Sequence, residues 1–229
     1  MADYLQPTGP TAPDALLPAD PGHALLLAQA LLDAPRMSNH GHGLWGYHGE
    51  TEAGRPLSIQ STGIGGPSTA IVVRELRELG AERAVRVGVC IPLDPELRAG
   101  DMIVAERALV ADGTSAALGA RGSVHADDAL TERLIEAAGP EARAGTVAST
   151  DLYYDGYDGS GSRAATARDL ESAALLALGR ELGIPVAVIL VTGVPSDERM
   201  IRAGGIASAA LAAGGAQDPS PASGVETRA

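Results

Sequence analysis

The chain contains no lysine and no phenylalanine, and aromatic residues make up only 3% of it. Every one of its 17 basic residues is therefore an arginine, set against 29 acidic residues for a formal net charge of −12. A polyanion needs a basic face, and none is visible, so nucleic acid is not expected as a partner. The single cysteine, Cys90, cannot form an internal disulfide and suits a reducing compartment, which points to a cytoplasmic location. No apolar run is long enough to cross a bilayer, so no membrane association is expected. The opening MADYLQPTGPTAPD is acidic and proline-rich and lacks the apolar core of a signal peptide. The missing lysine and phenylalanine, beside abundant Ala, Gly and Arg, are read as coding bias without functional content.

What is present is a chain of 229 residues, enough for one α/β domain with its own core, and without internal repeats. Residues 1–14 read as a flexible lead, 15–213 as the domain, and 214–229 as a polar, disordered tail. Within the domain the patterning predicts a strand at Ala15–Leu17, a helix over roughly His23–Asp33 and a Gly/His-rich loop from Ser38 to Gly43. A strand at 57–61, a helix at 68–79 and a strand at Ala84–Val89 follow. Asp101–Gly113 reads as a polar, hairpin-like section, and the helix at Ala129–Ala138 places Leu130, Leu134 and Ile135 on one face. Gly145–Ser149 is a further strand. The longest helix is expected over Ala165–Leu182, ending at Gly183 with Pro185 beyond. Val186–Val191 is a continuous apolar run, as in a strand buried on both faces. Alternating strands and helices imply a mixed, mostly parallel sheet between helical layers.

The most informative stretch is LSIQ-STGIGGPST-AIVVRELRELG, residues 57–80. Leu57 and Ile59 alternate with polar residues, then Gly63, Gly65 and Gly66 make a turn and Pro67 opens a helix. Such a turn exposes backbone N–H groups and lets a ligand approach the main chain. A dinucleotide fingerprint would need glycine at position 68, where Ser68 stands. Glu171 lies beside the apolar stripe of the long helix. It is either an exposed first-turn acid or a carboxylate turned into a cleft to accept hydrogen bonds from a diol, and the residues alone leave both open. A strand arginine such as Arg86 is ordinarily solvent-facing or ion-paired.

The wording STGIGGPST, followed by an amphipathic helix and a strand ending Arg86-Val87-Gly88, resembles the nucleoside phosphorylase superfamily, the uridine-phosphorylase branch most closely. The resemblance spans about residues 15–200 and implies a three-layer α/β fold of the nucleoside phosphorylase kind. LESAALLAL is similar to the family's M-E-S/A-A segment, which assigns ribose binding to Leu170 and Glu171, with Glu171 also catalytic. Arg86 matches an anion-binding arginine, whose planar fork of donors suits phosphate. Ser149-Thr150-Asp151-Leu152-Tyr153-Tyr154 resembles the family's S-x-D-x-F-Y, so Tyr153 is expected to stack on the base, within a base site that includes Cys90, Ile91 and Asp169.

Several positions depart from the family. Ala19-Asp20-Pro21-Gly22-His23 stands where a G-D-P-x-R loop is expected, so the phosphate positions carry Ala19 and His23. A second family arginine, given by a neighbouring subunit, falls in SNHGHG, where His40 and His42 are found. Val89 occupies a phosphate-facing hydroxyl position, Tyr157 and Gly159 stand at the uracil-reading positions, and no histidine precedes His23. Asp197 resembles the proton-donating aspartate of the purine-cleaving branch at a three-residue offset; read from the residues alone it is an exposed loop aspartate. The clustered histidines lack a Cys or a helical H-x-x-x-H face, so no metal is expected. The resemblance implies phosphorolysis of a nucleoside with phosphate as co-substrate and no cofactor. A nucleosidase, or a nucleoside-binding protein without catalysis, are the alternatives. It also implies a homo-oligomer, a dimer or trimer of dimers, for which Trp45 and Tyr47 are the expected interface anchors.

Overall fold

The structure, a computed structural model, describes residues 2–154 and 165–214. The expectations for Tyr157, Gly159 and the tail from 215 lie outside them. The chain runs β1 (Asp14–Leu17), α1 (Pro21–Leu31), β2 (Asp33–Asn39), β3 (Gly46–Glu50), β4 (Pro56–Gln60) and α2 (Gly66–Glu78). It continues with β5 (Arg83–Pro92), β6 (Met102–Ala111), a short α3 (Gly113–Ala117), β7 (Ser123–His125), α4 (Asp128–Ala138) and β8 (Ala142–Thr150). β9 (Ala167–Asp169), α5 (Ser172–Leu182), β10 (Val186–Thr192) and α6 (Asp197–Ala213) complete it.

The sheet is mixed, and part of it closes on itself. β5 pairs in parallel with β10, β10 antiparallel with β6, and β6 and β8 in parallel. β8 then pairs in parallel with β9, which returns to β5 antiparallel. These five strands form a ring, which removes the free edges an open sheet would leave exposed. From β5 the sheet extends outward through β1, β4, β3 and β2.

β10 shows how the layers are built. Val186, Val188 and Leu190 enter the core under α2 and α5, while Ala187, Ile189 and Val191 enter the one under α1, α4 and α6. Period-2 alternation in an all-apolar strand thus feeds both faces, as its uninterrupted hydrophobicity predicts. Local signals fix the helix ends. Asp20 caps α1 by accepting from the Gly22 amide, Asp127 caps α4 by accepting from that of Leu130, and left-handed Gly183 (φ 65°) stops α5.

Several expectations need correction. The hairpin-like section at 101–113 is one long strand, β6, whose bulge between Ala105 and Arg107 turns Glu106 outward and so mimics a polar turn. The helix expected from Ala165 begins only at Ser172, because residues 167–169 form β9. β2 and α6 were not anticipated: β2 is a largely exposed edge strand, and α6 buries small residues (Ala203, Ala207, Ala210) between Met200, Ile206 and Leu211. Leu134 is buried whereas Ile135 is exposed, since adjacent helical residues point 100° apart. Tyr47, expected as an interface anchor, is buried in the core on the α1 side, while Trp45 packs against that core and stays half-buried.

The lead is also docked rather than loose. Leu5 is buried, and the amides of Asp3, Tyr4 and Leu5 donate to the Glu75 carboxylate of α2 at 2.9, 3.1 and 2.6 Å. Burial pushes the Glu75 carboxyl up, but the amides of Leu5, Asp3 and Tyr4 outweigh it and hold it below the usual carboxylate value. Glu75→Gln turns one of these acceptors into a donor. It should cost about 1–3 kcal/mol in urea unfolding and speed amide exchange at residues 3–5. With a depressed folded pKa, the wild-type contribution is present above the unfolded value near 4.3 and lost as pH falls through the folded one. A variant with the wild-type unfolding midpoint at pH 7 would show that the carboxylate does not hold the segment.

Candidate functional site

β5 is ten residues long and is shared along its length. β1 runs beside it as far as Leu17, opposite Arg86, and β9 joins it only at Ile91 and Pro92. Between those two contacts lie Gly88, Val89 and Cys90, and here a cavity of about 360 Å³ opens. The loop after β1 with the first turn of α1 (Ala19 to His23), the turn at Gly63 and Ile64, and Arg168 to Glu171 at the end of β9 form its other walls.

At the polar end stands Arg86, only 1% exposed. Its Nη2 donates to Glu171 Oε2 at 2.5 Å and its Nε to Asp169 Oδ2 at 3.3 Å. Glu171 precedes α5 in the N-cap position but does not cap it. Its Oε1 instead accepts from the Gly65 amide at 2.9 Å, where φ of 87° makes glycine the fitting residue. The positive end of α2 thus points at this carboxylate, which also accepts from the Leu170 amide at 3.3 Å. Asp169 does the capping, accepting from the Ser172 amide and hydroxyl and from the Ser149 hydroxyl at 2.7 Å. The guanidinium lies against Gly88, where an added Cβ would come within 2.8 Å of Arg86 Cζ. The remaining nitrogen, Nη1, is buried and has no partner among the described residues.

Burial pushes the Glu171 carboxyl above its ordinary value, with Arg86 opposing and Asp169 adding to the rise. Burial, with Asp169 beside it, pushes the Cys90 thiol up to about 12, so this cysteine is a neutral wall of the cleft and not a nucleophile. At the opposite end Tyr153 is half exposed and meets Tyr154 edge-on, ring centroids 4.8 Å apart. Arg168 donates to the carbonyls of Leu152 and Tyr153 at 3.2 and 2.8 Å and so pins the segment that carries this ring.

The fold therefore gathers most of the residues singled out in the sequence. Ala19, His23, Arg86, Val89, Cys90 and Ile91 line the cleft, as do Tyr153, Asp169, Leu170 and Glu171. Two are elsewhere. His42 sits in a 3₁₀ turn with φ of 57°, its ring 5.0 Å from that of Tyr4, and does not line this chain's cleft. Asp197 is the exposed first residue of α6, behind the Ser196 cap, and not a cleft acid. Arg168, Gly88 and Val194 line the cleft without having been singled out. The signal for Arg168 was its place immediately before Asp169-Leu170-Glu171; for Gly88, its place two residues after a strand arginine. Among the described residues no three His, Cys, Asp or Glu side chains are grouped to hold a metal ion, and no helix is long and apolar enough to cross a membrane.

A model of the phosphorylase superfamily matches residues 13–213. A uridine phosphorylase of Thermococcus kodakarensis is 37% identical over 152 residues, covering 65% of this chain and 54% of that protein. A DeoD-type purine nucleoside phosphorylase of Caldanaerobacter subterraneus subsp. tengcongensis is 30% identical over 195 residues, covering 80% of this chain and 82% of that one. Among solved structures, uridine phosphorylase from Vibrio fischeri in complex with 6-hydroxy-1-naphthoic acid superimposes with a TM-score of 0.78 at 26% identity, over 88% of this chain and 90% of that one. The match spans little more than half the length of the Thermococcus protein.

Arg86→Leu tests the electrostatics of the cleft. It leaves Asp169 and Glu171 as uncompensated buried carboxylates and should cost about 3–5 kcal/mol in thermal or urea unfolding at pH 7. Without the guanidinium that opposes it, burial raises the Glu171 carboxyl unchecked, and its folded pKa stands above the unfolded one, about 4.3. The variant is then most stable below the unfolded value and weakens as pH rises through the folded one. A deficit equal at pH 5 and pH 8 would mean that Arg86 does not compensate Glu171.

Proposed function

We propose, from the premise that the chain belongs to the phosphorylase superfamily, that it cleaves the N-glycosidic bond of a nucleoside with phosphate, giving free base and pentose 1-phosphate. The observation that carries this reading is the buried Arg86–Glu171 pair at the floor of a cleft of nucleoside size. The names borne by the matching proteins, uridine and purine nucleoside phosphorylase, support the same reaction class.

In this reading the ribose hydroxyls donate to the Glu171 carboxylate, with Leu170 beneath the sugar. The base lies between the Val89–Ile91 edge of β5 and the Tyr153 ring, which Arg168 holds in place. Phosphate sits at the Arg86 end. As its oxygen forms a bond to C1′, the bond from C1′ to the base nitrogen breaks; the electron pair leaves with the base, which takes up, through water, the proton that hydrogen phosphate gives up on becoming the sugar phosphate. The sugar acquires oxocarbenium character on the way. The oriented negative charges of Glu171 and phosphate stabilise that cation more than they do the ground state. Asp169, committed to Arg86, Ser149 and Ser172, orients the guanidinium and caps α5. Phosphate is a co-substrate, and the reaction calls for no cofactor. A place in cytoplasmic nucleoside salvage fits this chemistry.

We also infer a homo-oligomer. Ile64, Val194 and Tyr154, at 77, 94 and 90% exposure, set large apolar side chains about the mouth of the cleft, a rim that a second copy would cover. Light scattering at micromolar concentration should give at least a dimer, and a monomeric mass would remove the shared-site arrangement.

A panel of purine and pyrimidine nucleosides, assayed for free base with and without phosphate, tests the reaction itself. Release should require phosphate, and release that ignores it would overturn the reading in favour of hydrolysis. On the substrate so found, Glu171→Gln should lower turnover roughly 10²-fold. The wild-type acid limb should lie above the ordinary glutamate value of about 4.3, because the carboxyl is raised and loses its charge as pH falls. The Gln variant should lack that limb. Wild-type kinetics in this variant would remove Glu171 from the site.

A further inference from the structure

In the unliganded chain the anion end of the cleft is already neutralised from within. Arg86 faces two carboxylates, Glu171 at 2.5 Å and Asp169 at 3.3 Å, and Nη1, the nitrogen left over, is shielded from solvent and has no partner among the described residues. Among the described residues the other arginine of the lining, Arg168, directs its guanidinium to the carbonyls of Leu152 and Tyr153, at the far end. Ala19 and Val89 contribute no charge there, and His23 is the one imidazole of the lining among the described residues. A phosphate approaching this end meets a guanidinium whose charge is spent and a carboxylate of its own sign a few ångströms away. In a site of low dielectric that repulsion is strong. The two carboxylates are not equivalent. Asp169 is held in place by Ser149 and Ser172, whereas Glu171 is held by Arg86 and two backbone amides and is the one that faces the sugar position.

We propose that Glu171 gates the anion site through Arg86, so that the nucleoside binds first and prepares the capture of phosphate. Two ribose hydroxyls donating to Glu171 disperse its charge and loosen its hold on Nη2. The guanidinium then turns Nη1 and Nη2 toward the incoming anion, with Asp169 and the flat bed of Gly88 fixing its plane. The two subsites share one cation, and their affinities are coupled by it. Linkage makes the effect reciprocal: phosphate strengthens nucleoside binding by the same factor. Glu171 is here a positioning residue for phosphate in addition to its role on the sugar. The inference rests on the phosphorolytic reading.

The test is a calorimetric titration of inorganic phosphate into the full-length protein, alone and with a saturating C-nucleoside. The C-nucleoside is pseudouridine or formycin B, according to the base class found in the panel; its base is joined through carbon and is not released. The wild type alone should bind phosphate at least tenfold more weakly than the wild type with C-nucleoside. Glu171→Gln alone, shown to be folded by its melting curve, should bind phosphate at least tenfold more tightly than the wild type alone, although its turnover is reduced. Equal phosphate affinity with and without C-nucleoside, or a Gln variant that binds phosphate no better than the wild type, would overturn the gate and leave phosphorolysis standing. Phosphate binding to neither protein, even with the C-nucleoside bound, would overturn phosphorolysis itself. Should the Gln variant fail to fold, the pair of wild-type titrations decides alone.

Discussion

A guanidinium at 1% exposure is the constraint around which this molecule is arranged. Burying a charge costs several kcal/mol even after relaxation, and the cost is offset only where geometry and hydrogen bonding are good. Arg86 obtains both from residues more than eighty positions away in sequence, Asp169 and Glu171. Meeting that requirement brings β9 against β5, sets the start of α5, and draws the glycine turn before α2 onto the same carboxylate through the Gly65 amide. Strand, turn and helix end are held in register by one electrostatic requirement. The cleft is the space that remains once it has been met.

The closed ring of strands gives that requirement a stiff frame. β5 and β10 pair over seven residues, with both faces of each strand covered by helices. Close approach of the layers depends on small residues at the contacts. Gly204 of α6 lies under Leu27 of α1, and Gly179 of α5 lies under Val186 of β10, each where a Cβ would collide. A frame packed in this way transmits displacement instead of absorbing it, so a change at one wall of the cleft is felt at the others.

Much of this was legible in the residues, and what escaped did so for identifiable reasons. β10, β4 and α2 follow local rules, uninterrupted apolarity, alternation and a proline-opened helix, and appear where those rules put them. β9 did not. Three residues (Ala167, Arg168, Asp169) carry no period, and their strand character comes from β8 and β5 on either side. α6 hid because Ala and Gly form its buried face, so its stripe is one of small size and not of hydrophobicity. At the site, the resemblance pointed to Glu171 and Arg86 as separate ligands for separate substrates. That they bind each other is a tertiary fact, beyond the reach of either segment read alone. Asp197 shows the reverse case: a motif matched in letters, whose helix start turns it to solvent.

The seating of Arg86 on the backbone of Gly88 also ties two positions together in evolutionary time. Any side chain at 88 would place a carbon 2.8 Å from the guanidinium, so that glycine can be replaced only if the arginine leaves its present seat between the two carboxylates. Loss of the arginine first, in turn, strands two acids in the core. A lineage leaving this arrangement must therefore neutralise Asp169 or Glu171, then exchange Arg86, and only afterwards place a side chain at 88. The path is ordered, because a filled position 88 bars the arginine from returning to this seat.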